Sequence, residues 1–346
     1  MFARTSLVAL VFAAIGVSAA PSLSLAVSGA DSVVGVNNLE VVATLTNSGD
    51  ETLKVLNDPN SVLNAIPANS FSIESDAGSV PAFVGAKVKY SPEVAAAKGA
   101  YTTLAPGESV TISHNLGEAY NFTLSGESSY NIKASNVFQI VDDAGAVSTI
   151  EADTADATHA AALTGALSFA RPSLSKRIKY SGCSSTQQTQ VKTAASSANT
   201  YAANAVSYLK GISASTTRYA YWFGAYTASR KSTVQSHYTN IASYDYTVDY
   251  TFDCSCSDAG VYAWVYADQF GTINLCPAFW DAPNTGTDSR AGTLIHEASH
   301  FNKIAGTDDH VYGQSSAHSL ALSNPTNAID NADNHEYFAE NTPSKA

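Results

Sequence analysis

Apolar and polar residues alternate in short runs through the first half of this chain. The runs 22–28 (SLSLAVS), 39–47 (LEVVATLTN), 109–116 (SVTISHNL), 121–126 (NFTLSG), 130–135 (YNIKAS) and 137–141 (VFQIV) each repeat with a period of two. That period sends successive side chains to opposite faces of a strand. Gly, Asn, Asp and Pro punctuate the runs. Many short strands with frequent turns predict an antiparallel sandwich of the immunoglobulin-like kind.

The pattern changes near residue 175. Val191, Ala194, Ala198, Tyr201, Ala205 and Tyr208 fall on one face of a helix that Gly211 can close. A second, aromatic-rich helical stretch is expected over 219–242. The runs 246–256 (YTVDYTFDCSC), 260–268 (GVYAWVYAD) and 271–280 (GTINLCPAFW) read as strands joined by turns. Helical spacing returns from Asp288 to the end. The expected class is α+β: an all-β half, then a mostly helical domain with a small sheet.

The two ends of the β half suggest processing. Residues 1–19 have Arg4, an apolar core from Leu7 to Val17 and the small tripeptide Val17-Ser18-Ala19, the make-up of a secretory signal peptide. The apolar core is too short for a membrane span, so no membrane partner is expected and the product should be extracellular. Lys176-Arg177 is a dibasic pair just before the cysteine-bearing half and reads as a processing site. The expected division is therefore 1–19 signal peptide, 20–177 leading domain and 178–346 second domain, with Ile178 or Lys179 as the new N-terminus. Asn121-Phe122-Thr123 is a glycosylation sequon.

Charge and cysteines narrow the reading. Only 14% of residues are charged, and the net charge is −12. A nucleic-acid backbone demands a basic surface, so that partner is excluded; cationic partners suit the chain better. In an oxidising compartment Cys183, Cys254, Cys256 and Cys276 make two disulfides the default. Cys254 and Cys256 are too close to bond to each other without strain. Of the two pairings left, Cys183–Cys254 with Cys256–Cys276 is preferred.

The densest chemistry lies between Gly292 and Gly313. His296-Glu297-Ala298-Ser299-His300 has the pattern H-E-x-x-H. Residues four apart share a helix face, so both imidazoles can bind one zinc ion with Glu297 beside it as general base. A helix from Asp288, a capable N-cap, to Gly306, a capable stop, fits the motif. A catalytic zinc needs a third protein ligand and an open position for water. The sequence H-E-x-x-H-x-x-G-x-x-H is not met, because Lys303 and Gly306 stand where its Gly and last His belong. Glu336 and Glu340 are candidates from a later helix, and Asp309 is closer at hand.

Gly306-Thr307-Asp308-Asp309-His310-Val311-Tyr312-Gly313 fits G-T-x-D-x-x-Y-G. H-E-x-x-H followed by this octapeptide resembles the deuterolysin, or aspzincin, family of zinc endopeptidases. The resemblance implies a zincin-like fold and one catalytic Zn²⁺ on His296, His300 and Asp309. It implies Tyr312 as a further catalytic residue and leaves Asp308 variable. The glycine at 306 lets the chain reverse, so Asp309 can return to the metal. From Tyr180 to Ala346, the stretches FGTINLC, AFWDAP, TGTDS, AGTLIHEASHF and NADNHEYFAEN resemble the peptidyl-lysine branch of that family. There Asp333 and Glu336 map onto the residues that hold a substrate lysine at P1′, so cleavage is expected on its amino side. The leading domain resembles the family's propeptides in position, which implies a zymogen inhibited by its own propeptide. The mature form is expected to be a monomer. Two rival readings are a protease of broader taste and a secreted zinc-binding or adhesion module without activity.

Overall fold

The computed structural model describes residues 21–170 and 179–345. The expected leader and the pair Lys176-Arg177 lie outside them. The described residues fall into an all-β part and a helical part with a small sheet, which is the α+β arrangement expected.

In the β part, Leu23–Gly29 pairs antiparallel with Glu40–Asn47, and that strand pairs with Ser109–Asn115. A second sheet runs Ser32–Val34, Thr158–Thr164, Ser128–Ala134, Phe71–Ser75. A third holds Val147–Glu151, Val137–Val141, Leu53–Leu56 and Tyr101–Leu104. The inward positions of the alternating runs meet in one core that includes Leu25, Val41, Leu45, Ile73, Tyr130, Ile132 and Phe138. One expected strand is absent. In 121–126 only Asn121 joins a strand, and a turn follows. Phe122 is buried but Leu124 is 94% exposed, so the alternation has no second apolar anchor. The Asn121 side chain accepts a bond from the Thr123 N–H (2.9 Å) and holds the sequon in that turn.

In the helical part, Ser185–Gly211 is a single helix closed at its start by a Ser184/Gln187 capping box. Its small buried face of Val191, Ala194, Ala195, Ala198, Ala202 and Ala205 lets other helices approach closely. The stretch expected as one helix over 219–242 is two, Thr217–Phe223 and Ala228–Ile241. Gly224 separates them at φ 72°, and a Cβ there would lie 2.2 Å from the Ala321 carbonyl oxygen. Only glycine fits that backbone and that gap.

The small sheet orders Tyr180–Ser181, Thr251–Asp253, Thr272–Leu275 and Val261–Tyr266, and then takes a fifth strand, Ala86–Tyr90, from the β part. This last pairing is antiparallel, with Trp264 opposite Val88 and Ala263 opposite Lys89. The disulfides Cys183–Cys254 and Cys256–Cys276 fasten the sheet to its surroundings in the preferred pairing. Among the described residues, no helix is long and apolar enough to cross a membrane.

Gly224→Ala should destabilise the protein by more than about 1 kcal/mol, because alanine is strained at that φ and meets backbone. Urea denaturation followed by tryptophan fluorescence, which reports on buried Trp222 two residues before Gly224, measures the loss.

Candidate active site

The H-E-x-x-H motif lies on the helix Arg290–His300, every position of which from Ala291 onward is buried. Ser289, and not Asp288, is its N-cap, accepting from the Gly292 N–H at 2.9 Å. Asp288 stands outside the helix with φ 49°. The helix ends at His300 rather than Gly306. Leu294, Ile295 and Ala298 face the core beside Phe301, which explains why a helix this polar in sequence is buried.

Alongside it lies the C-terminal helix Ala332–Glu340, and buried charge ties the two together. Glu340 accepts from the Ser289 backbone N–H (2.8 Å) and hydroxyl (2.7 Å). A side chain at Gly292 would collide with that carboxylate, so the glycine permits the approach. Arg218 donates to the Phe338 carbonyl and lies over the Tyr208 and Phe338 rings, capping the helix at its end.

Between these helices and the loop Gly306 to Gly313, three candidate ligands converge. The His300 Nδ1–H donates to the Thr307 carbonyl (2.8 Å), and the His296 Nδ1–H donates to Asp333 Oδ1 (2.8 Å). Each contact fixes the tautomer that leaves Nε2 as a lone pair. Those two Nε2 atoms lie 3.3 Å from Asp309 Oδ1 and Oδ2 respectively. His296 Nε2, His300 Nε2, Asp309 Oδ1 and both Glu297 carboxylate oxygens are buried without a hydrogen-bond partner. Buried polar atoms are seldom left so, and two imidazoles with one carboxylate within 4.8 Å of one another suit a divalent cation.

The electrostatics agree. Burial would lower the His296 pKa, but the carboxylates of Asp309 and Asp333 outweigh it and raise it to about 10. The surroundings therefore call for positive charge at the His296 imidazole, which a cation would supply. Burial pushes the Glu297 carboxyl up to about 7, a value suited to taking and returning a proton near neutrality.

The loop separates the adjacent aspartates. Asp309 points inward, whereas Asp308 has a half-exposed side chain paired with Lys87. Buried Asn331 holds the loop by accepting from the His310 (2.8 Å) and Val311 (3.1 Å) N–H groups. The third histidine, His310, meets Asp330 (3.0 Å) and stands apart from the cluster.

Asp333 and Glu336 lie together in a pocket, as their spacing on one helix face implies, and Glu340 faces Ser289 instead. The pocket also contains groups that sequence reasoning missed. Lys89 of the crossing strand Ala86–Tyr90 enters it, with Nζ 2.7 Å from Glu336, 3.4 Å from Asp288 and 3.5 Å from Asp333. The Tyr262 and Tyr337 rings flank the ammonium at 5.1 and 5.5 Å. Burial opposes the charge on Lys89, but Asp333 and Glu336 outweigh it and hold its pKa well above the ordinary lysine value. Asp333 thus faces two ways, toward His296 and toward the pocket. Tyr312 donates from its hydroxyl to the Val88 carbonyl oxygen (2.8 Å). A cleft of about 500 Å³ opens beside Lys89, lined by Tyr262, Asp288, Tyr312, Asp333 and Tyr337.

The aspzincin M35 family, described as lysine-specific metallo-endopeptidase, matches residues 208–340. A peptidyl-Lys metalloendopeptidase of Armillaria mellea is 55% identical over 99% of this chain and 98% of its own length. The chain belongs to the aspzincin family. A peptidyl-Lys metalloendopeptidase of Grifola frondosa is 50% identical over 98% of this chain and 99% of its own length. A solved zinc peptidase from Grifola frondosa is 54% identical, covering 47% of this chain and all of that one, with a TM-score of 0.47. As an aspzincin the protein is a metallo-endopeptidase, a hydrolase.

Asp309→Ala should abolish stoichiometric metal binding, and Asp308→Ala should leave it intact. Asp333→Ala removes the acceptor that orients His296 and should weaken metal affinity roughly 10–100-fold. Metal content after dialysis against graded chelator distinguishes the three.

Proposed function

We propose that this aspzincin is a secreted zinc endopeptidase, made as a zymogen, that hydrolyses the peptide bond on the amino side of lysine. The observation that carries the chemistry is the convergence of His296 Nε2, His300 Nε2 and Asp309 Oδ1 beside the Glu297 carboxylate, atoms that are buried and without hydrogen-bond partners. Zinc suits two imidazoles and one carboxylate better than a hard cation, which prefers oxygen. Bound there, it would supply Lewis acidity toward the scissile carbonyl and lower the pKa of water.

The chain's own groups do the rest. Glu297 takes a proton from the attacking water and gives it to the leaving amine as the C–N bond breaks. The Tyr312 hydroxyl, which here donates to a main-chain carbonyl, donates to the oxyanion. Asp333 holds His296 in the required tautomer. Glu336, Asp333 and Asp288 receive the substrate ammonium between two tyrosine rings. Discrimination of this kind is strong, because a neutral side chain would leave buried carboxylates unmatched. A compact ammonium fits where a planar guanidinium need not.

The domain reading is 1–19 signal peptide, 20–177 inhibitory propeptide and 178–346 protease. It is supported by a Pleurotus ostreatus peptidyl-Lys metalloendopeptidase, 61% identical, that is matched over 99% of its length by 167 residues, 48% of this chain. That length is close to the length of 178–346. Two disulfides and a relative named extracellular protease, from Aeromonas hydrophila and 36% identical, fit secretion.

Glu297→Gln should retain zinc and fold yet lose about 10²–10⁴-fold in turnover, measured on a lysine peptide alongside metal analysis. Glu336→Gln should lose preference for lysine while keeping zinc. Mass spectrometry of one digested protein reads the change, and an unaltered set of cleavage sites would move the lysine pocket elsewhere. N-terminal sequencing of the secreted form should find Ile178 or Lys179.

A further inference from the structure

The strand Ala86–Tyr90 belongs to the β part by sequence but completes the sheet of the other half. It pairs antiparallel with Val261–Tyr266, which would otherwise be an edge of that sheet. An exposed edge is where an extended peptide adds itself. The strand lies across the catalytic residues, with the cleft of about 500 Å³ on one side and a smaller one of about 200 Å³, lined by Val88, Asp308 and Asp309, on the other.

Its register is specific. The Val88 carbonyl oxygen accepts from Tyr312, and the Val88 N–H faces Asp309 Oδ2 at 3.3 Å. The next side chain, Lys89, is 2% exposed and enters the pocket of Glu336, Asp288 and Asp333. Carbonyl at the hydroxyl and ammonium at the carboxylates is the arrangement that a Xaa-Lys substrate would need. Lys87, two residues earlier, pairs outside the pocket with half-exposed Asp308.

We propose that Ala86–Tyr90 is a built-in pseudosubstrate: Lys89 fills the lysine pocket and the Val88–Lys89 peptide bond occupies the position of the scissile bond. The proposal rests on the lysine-directed reading above and says how the leading domain blocks that site. Inhibition then depends on the same carboxylates as specificity. The strand competes as an intramolecular ligand, so external peptides meet a high effective concentration of occupant. Both flanks of the bond are anchored, with the Ala86 N–H on the Pro67 carbonyl (2.9 Å) and the Ser91 N–H facing the Gly260 carbonyl (3.5 Å). A competing peptide must therefore displace the whole strand rather than one side chain.

The test uses the full chain, zinc-loaded and carrying Glu297→Gln so that it cannot cut itself. Binding of a fluorescein-labelled hexapeptide with one central lysine is followed by anisotropy. Adding Lys89→Ala should tighten binding at least tenfold, whereas adding Lys87→Ala should change it less than about fivefold, as for a partly exposed ion pair. Thermal unfolding checks that each variant is folded. If Lys89→Ala does not fold, hydrogen exchange on the Glu297→Gln chain replaces it. Saturating lysine peptide should then speed exchange at 86–90, and the same peptide with norleucine for lysine should not. Unchanged binding in folded Lys89→Ala, or exchange at 86–90 indifferent to the lysine peptide, overturns the pseudosubstrate while a mature enzyme that cuts before lysine leaves the functional reading standing. A mature enzyme indifferent to lysine overturns that reading and the pseudosubstrate with it.

Discussion

Two helices meet through buried charge, and the rest of the catalytic half is arranged around that contact. Asp333 on the C-terminal helix accepts from His296 Nδ1 on the H-E-x-x-H helix and from the Gly313 N–H (2.6 Å) at the end of the loop. A carboxylate taken out of water must recover its lost hydration from such partners. One side chain thereby sets the tautomer of a candidate ligand, the position of the loop that carries Asp309 and Tyr312, and one wall of the pocket that holds Lys89. Glu340 makes the second clasp through Ser289, and Gly292 gives it room. Because the acids face inward, the C-terminal helix is buried along its whole length despite its acidic composition.

The same concentration of acid explains why a basic strand from the other half is received there. Asp288, Asp333 and Glu336 around one site repel one another unless a cation sits among them. Lys89 provides it, and the two tyrosine rings complete the enclosure. Backbone pairing with Val261–Tyr266 adds affinity that does not depend on side chains, while the lysine fixes the register. Strand pairing and the buried ammonium thus act together on Ala86–Tyr90. The two halves of the chain are complementary in that sense before any external substrate arrives.

Several elements were legible locally. The spacing of His296 and His300, the glycine after them and the helical face of 185–211 all follow from periods of a few residues. That Cys254 and Cys256 could not join each other left two disulfide pairings, and the structure has the preferred one. Other readings missed where neighbours overrule the local pattern. The turn at 121–126 replaces a strand because Leu124 finds no core to enter. The helix over 219–242 breaks at Gly224 because the Ala321 carbonyl of a later helix occupies the space a side chain would need. Asp288 had the chemistry of an N-cap, but Ser289 takes that role and leaves Asp288 for the pocket.

The sequence by itself determined the α+β class, the paired imidazoles with Glu297 beside them, and the presence of Asp333 and Glu336 on one helix face. These are consequences of covalent spacing on helices and strands, which short-range geometry fixes. Only the tertiary structure decided that Asp333 orients His296, that Asp288 and two tyrosines complete the pocket, and that Lys89 fills it. The run AKVKY alternates like many others, and nothing within it names the sheet it will join. Its partner is chosen where an open sheet edge and three carboxylates coincide, and that coincidence exists only once distant segments have packed.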